Sequence, residues 1–543
     1  MTEKGKLLKS ASVVALITVI SRVCGYLRDQ RVALLLGTSP VADSFILAFR
    51  IPNMIRRITG EGALGASFIP VFTGYLRTKS RRETWAFAQR MFWDVAVVLA
   101  VLSILGCVFS RQVIGIFTLM GVNHVHWDLA VYLNRIIFPC ILFLGLTALA
   151  SGILNSFRQF ALPTWSSVTF NLVVIGSSFA VVYQPLIKWA PEAYRSPAVA
   201  LAVGIVVASM VSLAIQLPAL RKLGMKFHPD VNFQDPGVRQ TGKLMAPVFF
   251  GAGVFQINFF IDTIFATSSR MPSGSITSLY VSDRVMELVL GVYAMALSTV
   301  IFPTMSHQAA DGKHDEMKQT FSFALRIVSF ITIPAAIGLI LLRVPITQVL
   351  FQHGEFGARS TALTSHALLF YSLGLPAFAA IKLITPMYYS THDTLTPTKV
   401  GIYSLALHIL LNVFLLFAFG RYLWNASPAL ASSLSAYFNF AALFVIFRGR
   451  YGRLGAAAIL SSLGKMIVCA AAMAAACYAA LRFAHFESIE HFASQAAMLV
   501  AMMALSVGVY FALAKLLRCE ELPELFLLLR RPEPEAAALG IDV

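Results

Sequence analysis

Long apolar stretches separated by short polar breaks constrain this chain more than any other feature of its sequence. Many of them exceed the roughly 20 residues that a helix needs to cross a bilayer. Of the 543 residues, 58% are hydrophobic and only 13% are charged, and no polar stretch is long enough to fold by itself. The sequence therefore predicts an all-α polytopic membrane protein rather than a series of soluble domains.

Splitting the chain at its polar and Pro/Gly-rich breaks predicts about fourteen transmembrane helices. The longest amphiphilic connection, 221–243, divides them into two groups, which we interpret as two lobes around a central cavity. The predicted organisation is an N-terminal lobe (1–225), a C-terminal lobe (226–455), a final helix pair (456–520) and a cytoplasmic tail (521–543). The predicted spans are 8–36, 40–76, 84–110, 127–157, 163–188, 195–220, 238–268, 274–308, 317–342, 360–390, 396–420, 428–447, 456–483 and 492–517.

Positive charge is concentrated in alternate connections between these stretches. The formal net charge is +17, and much of it lies in the first ten residues and in short loops such as 77–82 (RTKSRR), 221–226 (RKLGMK) and 448–453 (RGRYGR). Lys and Arg accumulate on the cytoplasmic side of membrane proteins. We therefore attribute the charge to membrane orientation rather than to nucleic-acid binding, and we predict that both termini are cytoplasmic.

Ionisable residues inside three apolar stretches are the strongest indication of function, because charge within a membrane span is costly and usually faces a cavity. The first stretch is SRVCGYLRDQR (21–31), in which Ser21 and Arg28 are seven residues apart and share one helical face. Arg22 and Asp29 are related in the same way. Between them Gly25 leaves a gap that could admit a ligand or bend the helix.

The other two charged stretches cover 41–70 and 278–303. In the third, Arg284 and Glu287 are one helical turn apart. In the second, Pro52 disturbs the helical hydrogen bonding, and polar residues at helical spacings surround it. These residues are Asp43, Arg50, Asn53, Arg56, Arg57 and Glu61.

Arginine is preferred over lysine at these positions, and the choice indicates the substrate. A planar guanidinium binds two phosphate oxygens at once, whereas lysine offers a compact point charge. Several guanidinium groups facing one cavity would suit a pyrophosphate. We assign this binding role to Arg22, Arg28, Arg56 and Arg284, and we interpret Arg31, Arg50 and Arg57 as structural because they lie near helix ends or breaks.

These stretches resemble the MurJ/MviN family of lipid II flippases, within the multidrug/oligosaccharidyl-lipid/polysaccharide exporter superfamily. The resemblance spans nearly the whole chain and rests on the order and spacing of several segments. They are SRVCGYLRD (21–29), ADSFILAFRIPNMIRRITGEGALGASFIPVF (42–72), LNSFRQFALP (154–163), QINFFID (256–262) and SDRVMELVLGVYAMALSTVIFP (282–303).

The resemblance implies a flippase of the bacterial inner membrane. Its substrate would be lipid II, the undecaprenyl-diphosphate-linked disaccharide-peptide, moved from the cytoplasmic to the periplasmic leaflet by alternating access and without covalent chemistry. The four arginines would hold the diphosphate. Positions matching family residues for gating or cavity support are Asp29, Asp43, Glu61 and Glu287, to which the helical spacing adds Ser21 and Asn53.

The resemblance also implies a hydrophobic groove for the undecaprenyl tail at the last two helices. Some family members bind sodium, and Asp262, Asn412 and Ser432 match three of the ligand positions. Leu416 stands where a carboxylate would be expected one turn after Asn412. We expect no other cofactor, and a monomer that contacts membrane lipids and cell-wall synthesis proteins.

Two other functions stay open on the residues alone. One is an exporter of another lipid-linked saccharide or of a drug, although arginines disfavour cationic drugs. The other is a membrane glycosyltransferase, which would need an acidic constellation such as 311–316 (DGKHDE). The sequence has no GxxxxGK[ST], HExxH or GxSxG motif, which disfavours ATP-driven pumping and these hydrolase mechanisms.

Overall fold

The regular secondary structure in the described part of the chain is helical. The computed structural model describes residues 3–58, 64–121, 125–452, 454–483, 486 and 491–530, and none of them lies in a strand. The all-α fold class is thereby confirmed. The chain divides into two compact units, Met1–Thr277 with His353–Ser360, and Ser278–Gln352 with Thr361–Val543.

The first unit contains the helices of the N-terminal half. A short 3-10 helix, Glu192–Tyr194, precedes its tenth α-helix. Its α-helices are α1 (Glu3–Leu36), α2 (Pro40–Arg56), α3 (Leu64–Thr78), α4 (Arg81–Val108), α5 (Ser110–Phe117), α6 (Trp127–Ile137), α7 (Cys140–Ser156), α8 (Ala161–Ser177), α9 (Ala180–Trp189), α10 (Pro197–Ala214), α11 (Leu217–Leu223) and α12 (Pro236–Ala266).

A long helix, α13 (Ser275–Ala310), begins at the end of the first unit and continues into the second. The second unit contains the remaining helices. They are α14 (His314–Leu341), α15 (Arg343–Phe351), α16 (Ala358–Ser390), α17 (Leu395–Leu423), α18 (Ser427–Tyr451), α19 (Ala456–Phe483), α20 (Phe492–Leu516) and α21 (Glu521–Arg530).

Nine helices or helix pairs in the described ranges are long and apolar enough to cross a membrane. This agrees with a polytopic membrane protein, while the number of about fourteen spans and the lobe boundaries at 225 and 455 stay predictions. The nine are Arg81–Val108, Trp127–Ser156, Pro197–Leu223, His314–Leu341, Ala358–Ser390, Leu395–Leu423, Ser427–Tyr451, Ala457–Phe483 and Phe492–Leu516.

Several predicted spans are divided between two helices, among them 163–188 (α8 and α9) and 195–220 (α10 and α11). The predicted span 127–157 consists of α6 and α7, which are separated at Phe138 and Pro139. Because Pro139 has no backbone N–H, it cannot continue the hydrogen-bond ladder of α6, and α7 starts immediately after it. In the predicted span 40–76, α2 covers Pro40–Arg56 and α3 covers Leu64–Thr78, and residues 59–63 between them lie outside the described structure.

Side-chain caps fix the beginning of several helices. Ser80 and Glu83 form a reciprocal capping box at α4: the Glu83 N–H donates to Ser80 Oγ (3.3 Å) and the Ser80 N–H donates to Glu83 Oε2 (3.0 Å). At α12, Asp235 Oδ1 accepts from the N–H of Gly237 (2.8 Å), and Pro236 occupies the first helical position. Each such cap contributes about 0.5–2 kcal/mol to helix stability.

Aromatic clusters form the centre of each unit. In the first, Phe68 of α3 lies 5.2 Å from Phe72 and 5.7 Å from Phe87 of α4, measured between ring centres. In the second, the buried Tyr510 of α20 packs against Phe330 of α14 and donates its hydroxyl to the Phe330 carbonyl oxygen (3.0 Å). Satisfying that hydroxyl allows a large ring to be buried without an unpaired polar group.

Glycine turns let backbone segments of the first unit meet directly. Gly274, at φ +91°, precedes α13, and a Cβ there would lie 2.3 Å from the Thr38 carbonyl oxygen. Gly354, at φ +60°, would place a Cβ 2.5 Å from the Leu34 carbonyl oxygen. Only glycine tolerates both the conformation and the approach. The segment 353–360 therefore packs closely on the turn between α1 and α2, where the Glu355 N–H donates to the Leu34 carbonyl oxygen (2.9 Å).

Candidate functional site

Arg28 of α1 forms hydrogen bonds with a residue of its own helix and with a residue of α8. Its Nε and Nη2 donate to Asp29 Oδ1 (2.9 and 2.6 Å), and its Nη1 donates to Asn171 Oδ1 (3.1 Å). Asp29 and Asn171 are both buried. The guanidinium group thus has a full counter-charge and a neutral acceptor, which lowers the cost of placing it in an apolar helix pair.

Asn171 was not among the residues singled out from the sequence, although it is the one amide in the apolar run of α8. Besides accepting from Arg28, it donates from Nδ2 to the Ser21 carbonyl oxygen (3.1 Å). A Cβ on Gly25 would lie 3.6 Å from Asn171 Nδ2. The gap that Gly25 leaves on α1 is therefore adjacent to this amide side chain.

Arg31, further along α1, contacts the C-terminal end of α8. Its Nε donates to Ser178 Oγ (3.1 Å) and its Nη2 to the Ser178 carbonyl oxygen (3.3 Å). Its guanidinium carbon lies 4.7 Å from the centre of the Phe179 ring. Ser178 is the C-terminal cap of α8, where a cation is favourable, so these contacts fit the structural role that the sequence indicates for Arg31.

Arg22 borders a cavity of about 530 Å³ between α1, α7 and α8, to which Ser21 also contributes. Small-molecule sites typically measure about 300–1,000 Å³, so the volume is appropriate for a ligand group. Among the described residues that line the cavity, Arg22 alone carries a charge. The lining residues are Val14, Thr18, Ser21, Arg22, Ser151, Asn155, Phe160, Pro163, Thr164 and Ser167.

Asp43 of α2 caps the first turn of α13. Its Oδ2 accepts from the Gly274 N–H (2.8 Å), and its Oδ1 accepts from the N–H (2.8 Å) and the hydroxyl (2.7 Å) of Thr277. The side chain is only 2% exposed. A carboxylate at a helix N-terminus is favourable. Asp43 therefore supports the start of the helix that carries Arg284 further along.

The third charged stretch lies in α13. Arg284 Nη1 donates to Glu287 Oε2 (2.6 Å), and its guanidinium lies 5.0 Å from the centre of the Tyr280 ring. The one-turn pairing expected from the sequence is present. Since Arg22 and Arg28 belong to the first unit and Arg284 to the second, the convergence of these arginines on one cavity stays a prediction.

Of three more predicted site residues, two belong to the end of α2. Asn53 is half-buried on this helix. Arg56 is its last residue, and its side chain lies outside the described structure. Glu61 falls outside the described residues altogether. Their roles in binding and gating therefore remain predictions from the sequence.

The residues matched to a sodium site fall into both units. Asp262 is buried in the first. In the second, Asn412 and Ser432 both contact the buried His408: Asn412 Nδ2 donates to the His408 carbonyl oxygen (3.1 Å), and Ser432 Oγ lies 3.3 Å from His408 Nε2. Oxygen ligands suit a hard cation. However, the imidazole of His408, which was not predicted from the sequence, lies between α17 and α18. Leu416, one turn after Asn412 on α17, is buried.

The acidic segment 311–316 forms local ion pairs at the start of α14. Asp315 forms an ion pair with Lys318, and Glu316 forms one with Lys313, three residues away in each case. The side chains of Asp315 and Glu316 are both exposed. In the described ranges no group of three or more His, Cys, Asp and Glu side chains could hold a metal ion.

The fold is that of a known class of membrane transporters. It resembles an inward-facing multidrug resistance MATE family transporter of the MOP superfamily with a TM-score of 0.63 at 14% identity, covering 83% of this chain and 99% of that chain. A likeness at this level of identity concerns the fold alone. The chain therefore has the fold seen in transporters of that class.

Sequence comparison then specifies the family. The family model described as lipid II flippase MurJ matches residues 32–497. The chain is 36% identical over 454 residues to a probable lipid II flippase MurJ of Vibrio cholerae (82% of this chain, 83% of that protein). It is 32% identical over 440 residues to the lipid II flippase MurJ of Burkholderia cenocepacia (80% and 82%). The chain belongs to the lipid II flippase MurJ family, which confirms the resemblance seen in the sequence.

A solved structure agrees with this assignment at the level of the fold. The lipid II flippase MurJ in an inward closed conformation matches with a TM-score of 0.75 at 23% identity, covering 93% of this chain and 98% of that chain. The score exceeds that of the MATE transporter, 0.63. The chain is thus a multi-pass membrane protein of this bacterial family.

Proposed function

We propose that this chain moves lipid II from the cytoplasmic to the periplasmic leaflet of the bacterial inner membrane. The observation that carries the proposal is the arrangement on α1, where Arg28 is braced by Asp29 and Asn171 and Arg22 borders a polar cavity. A braced arginine on the same helix as an arginine that borders a cavity suits an anionic headgroup. Membership of the family, whose relatives are named for lipid II, supplies the substrate.

The diphosphate of the substrate binds to the arginines. Arg22 and Arg28 are six residues apart on α1, about 9 Å along the helix axis. When the substrate is absent, Asp29 provides the counter-charge of Arg28, which limits the cost of a buried cation. The diphosphate takes over that role when it binds, and Arg56 and Arg284 complete the set of guanidinium groups.

Transport proceeds by alternating access without covalent chemistry. The two lobes rock about the bound headgroup and open it first to the cytoplasmic and then to the periplasmic leaflet, as in transporters built from repeats. Asp43, Asn53, Glu61 and Glu287 support the cavity or its gates. Of these, Asp43 contributes through the first turn of α13, which its carboxylate caps.

Transport needs no cofactor and no fixed sodium ion. Leu416, buried on α17, replaces the carboxylate expected beside Asn412, so the site would lack one of its negative ligands. Flipping in proteoliposomes should therefore proceed at the same rate when sodium chloride is replaced by potassium chloride. A loss of activity in potassium would contradict this and point back to Asp262, Asn412 and Ser432.

The chain is oriented with both termini in the cytoplasm and acts as a monomer. The basic loops 77–82 and 221–226 support this orientation by the positive-inside rule. Cysteines introduced at the exposed positions Arg82 and Arg195 distinguish the two sides, because they lie in connections predicted to face opposite compartments. Arg195→Cys should react with a membrane-impermeant thiol reagent added to intact spheroplasts, whereas Arg82→Cys should not.

The decisive experiment is complementation of a bacterium depleted of its own lipid II flippase. The wild-type chain should restore growth, and Arg28→Ala at equal abundance should not. Arg111→Ala is the matched control, since Arg111 is exposed and its one ion pair among the described residues is a long one, with Asp128 (3.6 Å). Failure of an abundant wild-type chain would reject lipid II as the substrate, and rescue by Arg28→Ala would remove Arg28 from the mechanism.

A further inference from the structure

The cavity between α1, α7 and α8 differs in character from the arginine pair beside it. Six of its ten lining residues carry a hydroxyl or an amide, and Arg22 is the one charged residue among those described. A second phosphate would call for a second cation, and a hydrocarbon tail would call for an apolar lining. Neutral hydrogen-bonding groups around an open cavity of about 530 Å³ instead suit a polyhydroxylated ligand.

Helical spacing explains why these groups face one another. On α1, Thr18 and Arg22 are one turn apart, as are Ser151 and Asn155 on α7. On α8, Thr164 and Ser167 lie one turn apart near its first residues. Each helix therefore presents a polar stripe to the same space.

Two of these side chains are available to a ligand. In the described part of the chain, Asn155 and Ser167 make no side-chain hydrogen bond. By contrast, Thr18 donates to the Val14 carbonyl oxygen (2.7 Å) and Thr164 to the Phe160 carbonyl oxygen (2.8 Å). These two hydroxyls can still accept a hydrogen bond, while Asn155 and Ser167 can both donate and accept.

Phe160 gives the cavity one aromatic wall. Its side chain is 37% exposed although it lines the cavity, so part of the ring is open to a ligand. A pyranose ring has an apolar C–H face that packs on an aromatic ring while its hydroxyls bond to polar side chains on the other sides. A phenyl ring opposite neutral donors and acceptors is therefore suited to a sugar.

We infer that this cavity binds the first sugar of the lipid-linked substrate. The inference rests on the proposed function: in such a lipid the first sugar is bonded directly to the diphosphate, so a sugar must lie next to the phosphate held by Arg22. Asn155 and Ser167 bind its hydroxyl or acetamido groups, and Phe160 packs on its ring. The cavity thereby distinguishes a saccharide-bearing diphosphate from a bare polyprenyl diphosphate.

Equilibrium binding to the full chain in nanodiscs tests this, with lipid II and undecaprenyl diphosphate as the two probes. Wild type should bind lipid II more tightly than undecaprenyl diphosphate. The double variant Asn155→Leu and Ser167→Ala should lose about tenfold in affinity for lipid II and should bind undecaprenyl diphosphate unchanged. Ser156→Ala is the matched control, because Ser156 follows Asn155 but donates to the Gly152 carbonyl oxygen (2.9 Å) and does not line the cavity.

The outcomes separate this inference from the proposed function. If wild type binds neither probe, both are overturned. Two outcomes would overturn the sugar site and leave the flippase proposal standing. In one, the double variant binds lipid II as tightly as wild type does. In the other, its affinity for lipid II and its affinity for undecaprenyl diphosphate fall by the same factor. If the double variant fails to accumulate, the single variant Ser167→Ala can be used, because Ser167 is exposed. Its affinity for lipid II should fall about threefold, and its affinity for undecaprenyl diphosphate should stay unchanged.

Discussion

Asn171 of α8 forms a hydrogen bond with Arg28 of α1 and a second one with the backbone of α1. Its Oδ1 accepts from Arg28 Nη1 (3.1 Å), while its Nδ2 donates to the Ser21 carbonyl oxygen two turns earlier on α1 (3.1 Å). One buried amide thus fixes both the position of the helix and the direction of the guanidinium group. The geometry of the arginine is set by α8 as much as by α1.

Asn171→Leu should therefore impair transport without removing any arginine. A leucine of similar size fills the space but leaves the guanidinium with Asp29 as its described partner, so Arg28 loses its fixed direction. We expect binding of undecaprenyl diphosphate to weaken about tenfold. Asn171→Gln should recover part of the affinity; equal loss in both variants would indicate a purely structural role.

Arg28→Lys should be nearly as harmful as Arg28→Ala. Lysine keeps the positive charge but cannot donate in parallel to Asp29 and Asn171 or to two phosphate oxygens. We expect flipping in proteoliposomes to fall at least about tenfold. Full activity of Arg28→Lys would show that charge alone is sufficient at this position.

Asp43→Ala should destabilise the protein because it removes the cap of α13. Three short hydrogen bonds to a buried carboxylate are lost, and the N–H groups of Gly274 and Thr277 are left buried. The expected loss is about 3 kcal/mol of unfolding free energy. Thermal unfolding in detergent measures it, with Asp128→Ala, at an exposed ion pair, as a control that should change little.

Gly274→Ala should be more harmful than Gly312→Ala. Both glycines have positive φ (+91° and +70°), so both substitutions incur backbone strain. Only at Gly274 would the new Cβ meet a backbone oxygen at 2.3 Å, whereas nothing lies within 4 Å at Gly312. The difference in melting temperature between the two variants therefore measures the cost of the contact between the new Cβ and the backbone oxygen at position 274. Equal melting temperatures would show that the turn can relax.

Asp393, in the turn between α16 and α17, should make stability depend on pH. Burial by itself raises the pKa of Asp393, but hydrogen bonds from Thr396 and Arg450 outweigh it and lower the pKa below its usual value. Stability from this carboxylate is therefore complete above the usual pKa of about 4 and is lost as pH falls through the lower native pKa. Wild type and Asp393→Asn should differ in melting temperature at pH 7 and converge in acid; a constant difference would exclude this ion pair as the cause.

Local patterns in the sequence predicted the parts of the site that depend on a single helix. The one-turn spacing of Arg284 and Glu287 anticipates their hydrogen bond, and the apolar stretches anticipate an all-helical membrane protein. Partners from distant segments could not be found in this way. Asn171 is 143 residues from Arg28, and Thr277 is 234 residues from Asp43, so only the packing of helices brings them together.

Other differences have equally specific causes. The break between α6 and α7 depends on one proline, whose missing N–H outweighs the continuous apolar pattern of 127–157. The polar lining of the cavity was missed because Asn155 and Ser167 carry no charge and stand in apolar runs. A neutral side chain in such a run gives no sign of whether it faces lipid or a ligand.

The segment 353–360 also determines the order in which the protein can be completed during synthesis. It belongs to the first unit, where Ser360 Oγ lies 2.8 Å from Thr38 Oγ1, yet the ribosome makes residues 278–352 of the second unit before it. The contacts between this segment and the α1–α2 turn can therefore form only after residues 278–352 have been made. A protein expressed as two fragments should assemble best when the chain is divided after this segment.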